Sequence, residues 1–178
     1  MTVLIVIGVL LAAAIAVILI LAALRPDTLV VQRSAAINAP AERIFPLIND
    51  YKNWASWSPY EKVDPAMKRT FSGAPSGKGS IYNWEGNKNI GSGRMEILES
   101  VPASRIFIQL DFMSPFEAHN TAEFTLRPEN SGTNVTWTMR GPVPYKFKIM
   151  HVIFNMDKMV GNQFAEGLAN MKRVAEGN

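Results

Sequence analysis

The most conspicuous pattern in the chain is an unbroken apolar run from Val3 to Leu24, made only of Val, Leu, Ile, Ala and Gly. As a helix, its 22 residues would extend about 33 Å, which matches the hydrocarbon core of a bilayer. A cleaved signal peptide needs a basic segment before the run, and only Met1 and Thr2 stand there. We therefore predict a transmembrane anchor over residues 1–25 and one further domain over residues 26–178.

The charges beside this run predict its orientation. Arg25, Arg33 and Arg43 follow the run, whereas no Lys or Arg precedes it. By the positive-inside rule, this asymmetry favours a single-pass membrane protein whose domain lies on the cytoplasmic side.

Beyond the run, apolar and polar residues alternate with a period of two in several short segments, which is the pattern of half-buried β-strands. Turn sequences such as Glu129-Asn130-Ser131-Gly132 separate them and are short enough for antiparallel hairpins. The predicted strands are residues 29–37, 68–71, 79–85, 90–100, 105–112, 117–126 and 133–140.

Helical periodicity appears in two places. A stripe after Pro40 predicts a helix that Pro46 makes short or kinked, followed by a turn whose Trp54 and Trp57 clamp it or brace a cavity mouth. Near the C-terminus, apolar residues recur every three or four positions and predict one long amphipathic helix. That stripe contains Ile153, Met156, Val160, Phe164, Leu168, Met171 and Val174. The layout predicts an α+β fold in which a curved antiparallel sheet wraps around the final helix.

Composition narrows the chemistry. The chain has no Cys, which excludes disulfides, a thiolate nucleophile and Cys-based metal sites. Its net charge of +3 comes from 18 basic and 15 acidic residues that are interleaved along the chain. Because nucleic-acid binding usually requires a concentrated basic face, we expect no nucleic-acid partner.

Several motifs resemble those of the START-like helix-grip superfamily, also called SRPBCC, and its polyketide cyclase/dehydrase and lipid-transport branch. The resemblance covers about residues 28–175. It rests on Ile37-Asn38-Ala39-Pro40, Ile44-Phe45, Ile48-Asn49-Asp50, Trp54-Ala55-Ser56-Trp57-Ser58-Pro59, Glu99-Ser100-Val101-Pro102, Gly132-Thr133-Asn134-Val135-Thr136-Trp137, Gly161, Phe164, Gly167-Leu168 and Met171-Lys172. The resemblance implies a helix-grip fold with a deep cavity between sheet and helix for hydrophobic small molecules; fold alone does not fix function.

Strand alternation identifies which side chains face such a cavity. The inward positions are apolar apart from the amide of Asn120, and Gly91 and Gly93 are expected to leave room beside them. The amide either bonds to a neighbouring backbone group or is offered to a ligand. Plain core packing is the alternative interpretation of the aromatic and Met side chains. The candidate ligand-binding residues are Trp84, Met95, Phe112, Asn120, Trp137 and Met139.

Catalytic signatures are sparse. Alternation places His119 on the outer face, and His151 fits a helix-end residue better than a catalytic base. Glu85, Asp111 and Glu117 are possible acids or bases, but nothing in the sequence brings them together. We expect no catalytic residue, cofactor or metal, and predict that a membrane-anchored domain binds a lipid or other hydrophobic small molecule. The alternatives are a cyclase or dehydratase acting on a hydrophobic substrate and a membrane-held interaction domain.

Aromatic and basic residues alternate in the segment Tyr145-Lys146-Phe147-Lys148. One interpretation is a contact with anionic lipid headgroups beside the cavity mouth. The other is a helix start whose rings pack on the sheet and whose lysines are solvated.

Overall fold

The computed structural model describes residues 2–177, except for the side chains at positions 151 and 153. Two 3₁₀ helices, Tyr51–Ser56 and Pro59–Lys62, follow the second α-helix. The α-helices are α1 (Thr2–Ala23), α2 (Ala41–Asn49), α3 (Tyr145–Ile153) and α4 (Met156–Glu176). The strands are β1 (Thr28–Ile37), β2 (Lys68–Gly73), β3 (Ser80–Glu85), β4 (Ser92–Val101), β5 (Arg105–Ser114), β6 (Ala118–Glu129) and β7 (Gly132–Pro142).

All seven strands form one antiparallel sheet in the order β1-β7-β6-β5-β4-β3-β2. Strands β2 to β7 are consecutive neighbours because short turns connect them, and β1 closes the order by pairing with β7. The sheet curves around α4, which confirms the predicted α+β helix-grip fold. Every predicted strand is present, with ends that differ by a few residues from those inferred from alternation.

Helix α4 lies on the inner face of the sheet, mainly against β1. Phe164, Leu168 and Met171 on one side of the helix are almost completely buried there. At its first turn, Arg33 of β1 donates from Nη2 to Oδ2 of Asp157 over 2.9 Å. The apolar face of α4 therefore supplies one wall of the space that the sheet encloses.

The two tryptophans that follow α2 clamp that helix. The indole Nε1 of Trp54 donates to the carbonyl of Ile48 (2.9 Å), and that of Trp57 donates to the carbonyl of Leu47 (2.8 Å). Both bonds satisfy carbonyls in the last turn of α2, which have no later helical N–H partner. The helix is short and contains Pro46, as predicted.

The C-terminal helical region is two helices, so the prediction of a single helix through Ile153 is wrong. The backbone is extended at Phe154, and the side chain of Asn155 accepts from the backbone N–H of Lys158 at 2.9 Å. An Asn in this position satisfies one of the free N–H groups at a helix start, so α4 begins afresh at Met156.

Helix α1 is almost entirely exposed, and among the described residues it is the one helix long and apolar enough to cross a membrane. Residues 24–27 connect it to β1. Helix α3 packs beside the end of α1, where the hydroxyl of Tyr145 donates to the carbonyl of Leu19 at 3.0 Å.

Lys148 is buried at this junction, which corrects its interpretation as a solvated or lipid-contacting residue. Only 6% of Lys148 is exposed. Its Nζ donates to the carbonyl of Arg25 at 2.9 Å and lies 2.5 Å from Oδ1 of Asp27. A lysine ammonium so enclosed ties α3 to the segment that follows α1, and its charge is already paired. Lys146, in contrast, is exposed above the ring of Phe147.

Candidate functional site

A cavity lies between the inner face of the sheet, α4 and the 3₁₀ helices. The cavity volume is about 90 Å³, within about 620 Å³ of empty space that includes open solvent at the mouth. Most of its walls are aromatic or aliphatic side chains, which arrive from all three layers, as with Trp54, Leu110 and Phe164. Such walls with a few polar groups are the usual composition of a small-molecule site.

Five of the six ligand-binding candidates named from the sequence line this cavity. Trp84, Met95, Phe112, Trp137 and Met139 come from four different strands, and the sheet brings them to one wall. The alternation of apolar and polar residues identified these five positions because the inward residues of neighbouring strands share one face of the sheet.

Asn120 is the exception, since it is not among the residues that line the cavity. It lies on the inner face and is partly buried, but its side chain is directed along β7. There its Nδ2 lies 3.8 Å from the sulfur of Met139, and its Oδ1 covers Gly141 so closely that a Cβ at that position would overlap it. The absence of a side chain at Gly141 therefore accommodates the Asn120 amide away from the cavity.

The expectation that Gly91 and Gly93 leave free space is also wrong. The indole of Trp84 lies directly over Gly93, where a Cβ would overlap its ring carbons and the carbonyl oxygen of Asp111. Gly91 adopts a positive φ of 66° against the carbonyl of Ser114. The room beside Gly93 is thus filled by an aromatic side chain.

Trp137 is the centre of an aromatic cluster at the inner end of the cavity. Its ring stacks on Phe164 of α4 with centroids 3.9 Å apart and on Phe124 at 4.9 Å. Trp57 and Tyr60 contact it in edge-on arrangements. Such contacts fix the ring in one orientation.

Glu61 and Tyr82 line another part of the wall, and Arg69 binds Glu61 from behind it; residue periodicity does not predict this group. The Glu61 carboxylate accepts from the hydroxyl of Tyr82 at 2.7 Å and from Nε of Arg69 at 2.6 Å. Burial, followed by the hydrogen bond to Glu61, raises the pKa of Tyr82 far above its usual range, so the phenol stays protonated. The Glu61 side chain is only 8% exposed.

Two further polar atoms of the cavity residues are buried without a hydrogen-bond partner among the described residues. They are Nε1 of Trp137 and Oγ of Ser58. Tyr60 also lines the cavity, and burial raises the pKa of its hydroxyl well above the ordinary value.

The outer face carries a separate charged cluster, where His119 lies as alternation predicted. Its Nδ1 is 2.8 Å from Oδ1 of Asp111 and its Nε2 is 3.3 Å from Oε1 of Glu117. The hydrogen bond with Asp111 raises the pKa of His119. Burial works to raise the pKa of Asp111, but hydrogen bonds from His119 and Gln109 outweigh it and lower that pKa. Among the described residues no group of three or more His, Asp or Glu side chains is arranged to hold a metal ion.

Residues 28–176 match the family described as polyketide cyclase/dehydrase and lipid transport. The chain belongs to this family. The match extends from the first residue of β1 to the last residue of α4, so it includes every element that forms the cavity. The resemblance inferred from the sequence motifs is thereby confirmed, while a search among curated proteins gives no match.

Solved structures share the fold at low sequence identity. Protein MLL2253 from Mesorhizobium loti matches with a TM-score of 0.60 and 18% identity, over 85% of this chain and 98% of its own. The Aha1 dimer from Colwellia psychrerythraea gives 0.59 and 14%, over 83% and 96%. The di-domain ARO/CYC BexL from the BE-7585A biosynthetic pathway gives 0.64 and 13%, over 88% of this chain and 52% of BexL. At these identities the similarity shows the fold alone.

Proposed function

We propose that the domain binds a lipid or another apolar small molecule in the cavity, and that α1 anchors it in a membrane. The cavity wall of Trp, Phe and Met side chains carries this proposal. Burial of an apolar ligand against such a wall is favourable by about 25 cal/mol per Å² of apolar surface removed from water. Met side chains adapt their shape, so Met95 and Met139 suit ligands of variable outline.

The position of the cavity in the sheet supports exchange with the membrane. At one end of the sheet the first residue of β1, Thr28, pairs with Pro142 at the end of β7, and the C-terminal end of β5 lies beside the start of β6. Four residues separate the end of α1 from Thr28, so with α1 in a membrane this end of the sheet would be the one nearest the bilayer. Phe112 and Met139, which line the cavity, belong to the same end.

Apolar side chains exposed near this end are a second argument. The ring of Phe116, which is 57% exposed, lies 5.7 Å from that of Phe147 in α3. Tyr145 and Phe154, at either end of α3, are about half exposed. Because α3 lies against the end of α1, these rings are suited to the polar boundary of the bilayer. The Arg residues after α1 favour the cytoplasmic side for the domain.

Native mass spectrometry of the full chain tests this function. The chain is extracted from membranes with an amphipathic polymer, and its bound small molecules are identified after denaturation. We expect an apolar compound at about one equivalent per chain. Ala122→Leu adds bulk to the cavity wall and is expected to lower the occupancy, whereas Ala36→Leu makes the same addition at an exposed position and is the matched control. A chain that is empty after extraction and refuses added apolar ligands would contradict the proposal.

Acid–base catalysis on a hydrophobic substrate is a second candidate, because the Glu61 and Tyr82 pair lines the cavity. A protonated phenol beside a carboxylate can donate a proton to a bound oxygen, as cyclisation and dehydration require. Both carboxylate oxygens of Glu61 already accept hydrogen bonds, and this favours the binding function. Incubation of the extracted compound with the chain discriminates the two: a product that has lost water, formed by wild type and not by Tyr82→Phe, would establish catalysis.

A further inference from the structure

We propose that the ligand of this cavity is uncharged and carries a hydrogen-bond acceptor, which Trp137 binds through Nε1–H with Ser58 Oγ as the second donor. This inference rests on the proposed function and specifies its ligand. The acceptor is a carbonyl, ester or ether oxygen on an otherwise apolar molecule.

The indole of Trp137 differs from the other three in the chain. Trp54, Trp57 and Trp84 donate from Nε1 to backbone carbonyls at 2.9, 2.8 and 3.4 Å. Only 3% of Trp137 is exposed, and its Nε1 has no hydrogen-bond partner among the described residues. Buried donors are almost always hydrogen-bonded because leaving one unpaired loses its interaction with water. A donor that the protein leaves unpaired, on a side chain that lines a cavity, points to a ligand acceptor that reaches it when neighbouring side chains shift.

Ser58 is an independent second donor on the same wall. It is 1% exposed and stands immediately before the 3₁₀ helix Pro59–Lys62, where a serine hydroxyl often caps the helix. Its side chain makes no such bond, and Oγ has no partner among the described residues. Trp137 and Ser58 both line the cavity, so the two unpaired donors belong to side chains of one site.

The charges of the wall disfavour an anionic ligand, and Glu61 already has the Arg69 guanidinium as its counter-ion. None of the described residues that line the cavity is Lys, Arg or His. Arg69, which approaches the wall through Glu61, uses Nε and Nη2 on Glu61 and Nη1 on the carbonyl of Met67. A ligand carboxylate would thus be buried near the Glu61 carboxylate with no cation of its own, which is strongly unfavourable.

Three probes of nearly the same shape test the acceptor. Acetophenone carries a carbonyl, α-methylstyrene replaces the carbonyl oxygen with a CH₂ group, and benzoate carries a charge. Binding is measured on the ¹⁵N-labelled full chain held in solution by the amphipathic polymer. We define the preference as the ratio of the affinities for acetophenone and α-methylstyrene, measured relative to that ratio in a protein without the Trp137 donor. We expect a preference of about tenfold, as one hydrogen bond allows, and benzoate to bind most weakly. Only acetophenone should move the Trp137 Nε1–H proton resonance downfield.

Variants assign the preference to the two donors. Trp137→Phe keeps an aromatic ring and removes the donor, so it should abolish the preference for acetophenone over α-methylstyrene. Trp84→Phe is the matched control: it makes the same change on the same wall, where the donor already has a partner, so the preference should persist even if both affinities fall. Ser58→Ala should reduce the preference several-fold. Circular dichroism of each variant checks that the sheet is intact.

The possible outcomes separate this inference from the proposed function. If the ratio of the acetophenone and α-methylstyrene affinities is the same in wild type and in Trp137→Phe, the acceptor inference is overturned while apolar binding stands. If benzoate binds most tightly, the uncharged class is wrong. If none of the probes and no extracted compound binds, the proposed function itself fails.

Discussion

The unpaired indole of Trp137 predicts an unusual response to a conservative mutation. Trp137→Phe and Trp57→Phe make the same chemical change at two rings that are 3% and 0% exposed and contact one another edge to face. The losses of apolar surface and the cavities left behind are therefore similar and cancel in the comparison. The two sites differ in the hydrogen bonding of the indole Nε1, which has a partner in Trp57 and none in Trp137 among the described residues.

The magnitude follows from the two environments. Trp57→Phe removes the 2.8 Å bond to the carbonyl of Leu47 and leaves a buried acceptor without that partner, which costs about 1 to 3 kcal/mol. Trp137→Phe removes a donor that has no partner among the described residues, so it relieves a penalty of about the same size. In the ligand-free protein, the free energy of unfolding should fall further for Trp57→Phe than for Trp137→Phe, by at least about 2 kcal/mol.

Pulse proteolysis in urea measures this difference on the full chain, because cleavage reports the unfolded fraction whether or not α1 remains helical. Equal losses of stability in the two variants, or a larger loss for Trp137→Phe, would refute the reasoning. The Trp137 N–H would then be hydrogen-bonded in the free protein, for example to an ordered water.

Three further measurements examine other parts of the structure. Asn155→Ala should lower the free energy of unfolding by about 1 kcal/mol, because it removes the cap of α4, with a corresponding fall in the urea midpoint. Gly93→Ala should destabilise the domain by about 1 to 3 kcal/mol in the same assay, because the added methyl overlaps the ring of Trp84. The raised pKa of His119 means that the protonated form is favoured by folding, so its contribution is complete below about pH 6.5 and is lost as the pH rises through the folded pKa. Wild type should accordingly lose its stability advantage over His119→Gln as the pH is raised from below to above the folded pKa, and a constant advantage would show that the contact with Asp111 does not favour the charged ring.

The sheet was predictable because its strands are half buried and therefore alternate. Ile106 and Ile108 on β5 and Phe124 on β6 are almost completely buried, and the residues that alternate with them, such as Gln109 and Glu123, are more exposed. The same period of two placed Trp137 and Met139 on the inner wall. The break between α3 and α4 escaped prediction because the apolar stripe continues through it, although Asn155 and the acidic residue after Met156 are typical of a helix start.

The polar part of the site was not predictable from periodicity. Glu61 lies in a short 3₁₀ helix, where neither the helical nor the strand period assigns a face. Its partners Arg69 and Tyr82 are 8 and 21 residues away and meet it only when the sheet folds. Lys148 was misjudged for a similar reason, since its neutralising partner Asp27 comes from the other end of the chain.

The connector of four residues between α1 and β1 also limits where the protein can work. Four extended residues reach at most about 14 Å, and the contact between Lys148 and Asp27 shortens that further. With α1 in a bilayer, the domain would stay beside that one membrane, and a ligand from that membrane would reach it by lateral diffusion in the bilayer. A domain anchored in this way would not move between membranes. Any compound it holds must be handed to an acceptor that comes to it, either a soluble carrier or a second membrane brought within a few nanometres.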